Sequence, residues 1–181
     1  EEMELNASVC APTLPITQNF SKSVACEMYG KLIVVYGAGI LRGVAYRWKT
    51  QLNENAKTLA FSEQLPELDH NSIVGYEHPP LVTRDAFVIL LRPADIHPRI
   101  AMRYDLTSEI LQMKNIPHRI IDAQGSGALA QMFSMVCLGD YVSYYLGLIN
   151  ELDPALVPTI DYLKGRLSNS SQRSHRGMKG K

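Results

Sequence analysis

KLIVVYGAG, from Lys31 to Gly39, is the stretch that decides the fold. Leu32, Ile33, Val34, Val35 and Tyr36 are apolar without interruption, so they read as a strand covered on both faces, and the glycines that follow end it in a tight turn. Straight after the turn, Leu41, Val44, Ala45, Trp48 and Leu52 recur every three or four residues, the period of a helix with one buried stripe. Strand, glycine turn and helix are the first half of a parallel βαβ unit. At ~100° per residue, Arg47, Gln51 and Glu54 share a helix face turned away from the Trp48 and Leu52 stripe.

Working outward, Phe20, Val24, Ala25 and Met28 predict a first helix, with Thr17 as its cap and Gly30 as its stop. Residues 1–16 carry acids and two prolines with little periodicity, and read as a leader or an interdomain linker. Downstream, Phe61 to Pro80 shows no sustained period beyond a short helix at Pro66, and His78-Pro79-Pro80 is expected to end regular structure. A loop of that length inside a domain implies a task. DAFVILLRP, Asp85 to Pro93, is a second buried strand; a helix is expected over 97–115, and HRIIDAQ from His118 is a third, shorter strand. Gly125 and Gly127 open a long apolar helix, greasy on more than one face, running to Ile149. A last helix follows Pro158, with Ile160, Leu163 and Leu167 predicted to face inward and Lys164 off that stripe. The polar, basic residues 168–181 are expected to be disordered. The order of elements is that of an α/β protein with a mostly parallel sheet between helical layers.

Composition narrows the function. Lys+Arg and Asp+Glu are both 18 in the 181 residues, so no net field recruits nucleic acid or an anionic membrane. No uninterrupted apolar run reaches the ~20 residues that span a bilayer, and the acidic start is unlike a signal peptide; a cytoplasmic location is the expectation. Cys10, Cys26 and Cys137 are odd in number, widely spaced and without a CxxC, which predicts buried reduced thiols rather than a disulfide or a metal site. Gly37, Gly39 and Gly43 resemble part of a dinucleotide fingerprint, which also needs a second strand ending in an acid about twenty residues on. NENAKTLA at that distance reads as helix or irregular chain, so a close strand-to-helix turn is the better account.

The segment RWKTQLNENAKTLAFSEQLPELDHN, Arg47 to Asn71, sets a single glutamate, Glu54, among amides and cations, and places His70 between Asp69 and Asn71. A carboxylate and an imidazole in one pocket can move protons on a small molecule near neutral pH. Each also has a plainer reading: Glu54 as an exposed carboxylate paired with Lys57, His70 as a loop histidine, Lys164 as a surface cation.

Taken jointly, RWK, QLNENAK and PELDHN resemble the segment that marks the bifunctional phosphoglucose/phosphomannose isomerases, built from SIS (sugar isomerase) domains. The likeness extends through the VVYGAG strand, the long apolar helix, the Asp153-Pro154 pair and IDYLK, over roughly residues 15–167. It implies an SIS-type three-layer αβα sandwich over 17–167, the second of two such domains in the family. It also implies that Glu54 is the catalytic base, that His70 opens the sugar ring and is supplied across the interface of a homodimer, and that Lys164 neutralises charge on sugar oxygens. The implied reaction is aldose-ketose isomerisation of glucose 6-phosphate or mannose 6-phosphate to fructose 6-phosphate through a cis-enediol, with no cofactor and no metal.

The family's first domain supplies the serine/threonine loop that holds phosphate and a catalytic arginine, and no such cluster is present here. The expectation is therefore a C-terminal half that turns over little or nothing by itself. A non-catalytic sugar-phosphate-binding module of the same fold is the alternative. Retention of Glu54, His70 and Lys164 together favours the enzyme, because a sensor has no use for a base.

Overall fold

The structure, a computed structural model, describes residues 8–177. Four strands, β1 (Leu32–Gly37), β2 (Ala60–Gln64), β3 (Ala86–Arg92) and β4 (His118–Asp122), form one sheet in the order β2-β1-β3-β4. Every pairing is parallel, with Ile33 opposite both Ala60 and Phe87, and Leu90 opposite Ile120. The helices are α1 (Phe20–Met28), α2 (Arg42–Asn55), α3 (Pro80–Asp85), α4 (Pro98–Met113), α5 (Ala128–Ile149) and α6 (Pro158–Gly177).

Both faces of β1 and β3 are covered, which is why their sequences are continuous apolar runs. Ile33 and Val35, with Phe87, Ile89 and Leu91, point into a core shared with α1, α2 and α5. Val34 and Tyr36, with Val88 and Leu90, point the other way, into a core closed by α4 and by residues 65–76. The period of two is thus intact inside each strand although both phases are apolar.

The turn after β1 fits the close-packing account of its glycines. A Cβ on Gly37 would lie 2.6 Å from the Leu41 carbonyl oxygen and 2.9 Å from Ala45 Cβ, so the helix can approach the strand end only over a glycine. A strand does lie at the distance the nucleotide fingerprint requires, where helix or irregular chain was expected. β2 escaped the sequence reading because it is a short edge strand, with Ala60 buried, Phe61 and Gln64 exposed and no apolar run. The His118 strand is accordingly the fourth.

Other boundaries moved for local reasons. The cap of α1 is Asn19, whose side chain accepts from Lys22 N at 3.0 Å and Ser21 Oγ at 2.7 Å, rather than Thr17. Pro80 starts a helix instead of ending structure, since proline is suited to the first helical position. Residues 10–14 dock on the domain: Tyr145 donates to the Cys10 carbonyl at 2.6 Å and Lys22 to those of Pro12 and Leu14 at 2.8 and 2.7 Å. Cys10 is buried, whereas Cys26 is exposed, against the expectation for all three thiols; none is in a disulfide.

α5 is the central helix of its layer. It has 22 residues with Asp140 as their single charge, so by length and composition it could cross a bilayer; here it packs on α1 and α2. Trp48 of α2 donates to its Met135 carbonyl at 2.7 Å. α6 behaves otherwise. Every side chain from Pro158 to Ser168 is exposed, so Ile160, Leu163 and Leu167 do not face inward as the sequence stripe suggested. Its backbone stays helical to Gly177, past the point at which the sequence reading ended the helix and expected disorder; residues 178–181 lie outside those described.

Candidate active site

Glu54 occupies the last turn of α2, and that turn is fixed on several sides. Asn55 donates to Ser143 Oγ at 2.9 Å, Asn53 accepts from Ala60 N at 2.8 Å, and Asn150 donates to the Ala56 carbonyl at 3.0 Å. Lys57 does not pair with Glu54; it donates to the carbonyls of Asp153 and Pro154 at 3.1 and 3.0 Å. Glu54 itself is exposed, off the buried stripe as its spacing indicated, and its carboxylate has no ion-pair or hydrogen-bond partner among the described residues. Gln51 departs from that exposed face. It is 3 % exposed, inside the α2–α5 seam, donating to Val136 O and to Asp140, with its own Oε1 unpaired.

Beside this turn lies an open cavity of about 940 Å³ lined by Asn55, Asp140, Tyr144, Leu148, Leu152 and Pro154, among others. Its polar groups were legible only in part. Asp140 is the lone charge in an apolar helix, a signal the sequence reading passed over, and it pairs with Arg47 at 3.4 Å. The approach of α5 depends on Gly139, Ser143 and Gly147, spaced four residues apart on one face.

His70 ends a 3-10 turn, Glu67–His70, that leaves the sheet after β2. Leu68 is buried, and Asp69 accepts from Arg103 at 2.6 Å and Thr107 at 3.0 Å, both on α4. Those two anchors leave His70 exposed. Asn71 closes the turn, donating to Glu67 at 2.9 Å and capping the next 3-10 segment, Ser72–Glu77, through Ser72 N. Beneath that segment Tyr36 and Tyr76 share a 2.6 Å hydrogen bond inside the core. Burial pushes the Tyr76 phenol up to about 12 and that of Tyr36 further still.

Within one chain these residues are not brought to a single pocket. α2 runs back from the C-terminal end of β1, so Glu54 sits at the N-terminal edge of the sheet, beside Ala60, in the layer of α5. His70 follows the C-terminal end of β2 and belongs to the opposite layer. Lys164 is on the exposed 158–168 part of α6, whose connector, residues 150–157, is bonded to the end of α2, so α6 departs from the Glu54 side. The strand order reverses between β1 and β3, which puts the crevice usual for such sheets above Gly39 and Pro93 and away from Glu54.

An all-parallel sheet of this order between two helical layers is the fold of the sugar isomerase, or SIS, domain. A glucose-6-phosphate isomerase-like protein from Thermus thermophilus superposes with a TM-score of 0.69 at 23% identity, over 83% of this chain and 48% of its own. The family of bacterial phospho-glucose isomerase C-terminal SIS domains matches residues 17–167, and the chain belongs to that family. A bifunctional phosphoglucose/phosphomannose isomerase of Caldicellulosiruptor bescii is 36% identical over 87% of this chain and 47% of its own length. The protein of the same description from Aquifex aeolicus is 34% identical over 81% and 45%. The chain spans about half the length of the curated relatives it matches.

Proposed function

We propose that this chain is the half of a sugar-phosphate aldose-ketose isomerase that carries the proton-transfer groups, acting on glucose 6-phosphate or mannose 6-phosphate to give fructose 6-phosphate. Glu54 takes the proton from C2 of the opened sugar and returns it to C1, with a cis-enediol between the two steps. One C–H bond is broken and one made, so the reaction needs no oxidant. A carboxylate suits a transfer between adjacent carbons because it can release the proton it has just taken. His70 opens the ring, an imidazole being able both to give and to take a proton, and Lys164 offsets negative charge on the sugar oxygens.

The observation that carries the reading is the exposed, unpaired Glu54 carboxylate on a helix end fixed by Asn53, Asn55 and Asn150, beside the open cavity that Asn55 helps to line. Because His70 lies at the other edge of the sheet, it acts on the Glu54 site of a second copy, and the working unit is a dimer. Phosphate is held by the other half of the longer protein, so this chain by itself binds sugar phosphate weakly.

The test is Glu54→Gln in a two-domain protein containing this chain. Turnover falls by roughly 10²–10⁴-fold while circular dichroism and sugar-phosphate affinity stay close to the parent. Unchanged turnover removes Glu54 from the mechanism. Mixing Glu54→Gln with His70→Ala chains recovers activity only if the histidine crosses between copies.

A further inference from the structure

Asp140 is held as an oriented acceptor in the wall of the cavity beside the end of α2. It is the single charge of α5, and its two side-chain donors, Gln51 Nε2 and Arg47 at 3.4 Å, both reach the same oxygen, Oδ1. No donor among the described residues reaches Oδ2, and the side chain is half-exposed, so one oxygen is anchored and the other is left for a ligand. The anchor is an unusual one. Gln51 is buried in the α2–α5 seam to provide it, and its own Oε1 has no partner there. An exposed ion pair with Arg47 alone would not call for a buried amide.

Arg47, Gln51 and Glu54 share one face of α2, so the two residues that hold Asp140 stand in line with the proposed base. Glu54 follows Gln51 by three residues, ~4.5 Å along the helix axis. Around Asp140 the cavity offers groups that a polyhydroxy chain recognises. Asn55 lines it with Nδ2 fixed on Ser143 at 2.9 Å, and so does the exposed Tyr144 ring, set edge-on to Tyr145 with centroids 5.8 Å apart. Carboxylate and amide oxygens accept from hydroxyls, and an aromatic face covers C–H groups. Glu151 and Asp153 line the same cavity, which therefore repels a phosphate dianion.

We infer that Asp140 is a sugar-binding residue: its Oδ2 accepts from the hydroxyl on C3 or C4 of the substrate, with the phosphate end directed out of the cavity. The inference deepens the isomerase reading and rests on it. Glucose, mannose and fructose 6-phosphates differ at C1 and C2 and share the configuration from C3 to C5. A contact beyond C2 recognises all three alike, while Glu54 works on the end where they differ.

Asp140→Asn tests this with the least disturbance, because asparagine keeps an oxygen for Gln51 and Arg47 and replaces only the free acceptor by an NH2 group. In the two-domain protein containing this chain, KM for glucose 6-phosphate and for mannose 6-phosphate is expected to rise by the same factor, roughly tenfold or more, with kcat within about threefold of the parent. Glucose 6-phosphate lacking the C3 or the C4 hydroxyl supplies the second readout. One of the two deoxy sugars loses a similar factor against the parent and little further against the variant. A purely structural Asp140 would lower the urea midpoint and leave the deoxy penalty as large in the variant as in the parent. Unchanged KM, or an undiminished deoxy penalty, overturns the inference and leaves Glu54 as the base; turnover that survives Glu54→Gln overturns both.

Discussion

Gly147 of α5 lies against the backbone of Asn55: a Cβ at position 147 would sit 2.8 Å from the Asn55 carbonyl oxygen and 3.2 Å from Pro154 Cγ. This contact sets how closely the turn bearing Glu54 approaches α5. Alanine gains about 1 kcal/mol of helix propensity over glycine, but the clash is with a carbonyl whose own residue is bonded to Ser143, and relieving such overpacking costs about 1–3 kcal/mol. Gly147→Ala therefore destabilises the domain by up to about 2 kcal/mol in urea unfolding. Trp48, the single tryptophan and 1 % exposed in the same seam, supplies the fluorescence signal. Gly165→Ala, with nothing within 4 Å of the added Cβ, serves as the contrast: it raises helicity in α6 and leaves the urea midpoint in place.

Asp69 holds the His70 turn to α4 through Arg103 and Thr107. Asp69→Ala leaves a half-exposed arginine that water can reach and a threonine hydroxyl that has lost its acceptor, at a cost of about 1–3 kcal/mol. The loss is local first. Amide exchange is expected to quicken at residues 67–77 before the sheet is affected, and equal acceleration throughout the sheet would show that the turn has no independent anchor.

The two buried strands, the glycine turn and the stripe of α2 could be read from sequence because each is decided by residues near one another along the chain. β2 could not, because an edge strand reading AFSEQ takes its conformation from pairing with β1 rather than from its own pattern. The stripe of α6 was read with the right period and the wrong partner: periodicity tells which side chains share a face, and not whether that face meets the same chain. Glu54 and His70 stood out singly, but their separation onto opposite edges follows from the direction of α2 relative to β1, which no local pattern contains. Gln51 shows the same limit, since its face was assigned from the helix stripe and its burial comes from α5.

The Tyr36–Tyr76 pair makes the layer under the His70 segment sensitive to alkali. Both phenols are held neutral by burial, with Tyr76 raised to about 12 from an ordinary value of 10, and Tyr104, bonded to the Leu91 carbonyl at 2.6 Å, raised as well. A raised folded-state value means that the folded chain keeps protons the unfolded chain releases. Stability is therefore full below pH 10 and falls as pH rises from 10 through about 12. In ultraviolet titration of the nine tyrosines, these three should ionise only together with loss of the far-ultraviolet helix signal. Tyr76→Phe removes the partner of the fully buried Tyr36 hydroxyl and costs about 1–3 kcal/mol at neutral pH. Adding Tyr36→Phe takes away that orphaned group as well, so the double variant should be less destabilised than the sum of the two single ones. Strict additivity would mean that the two hydroxyls stand independently of each other.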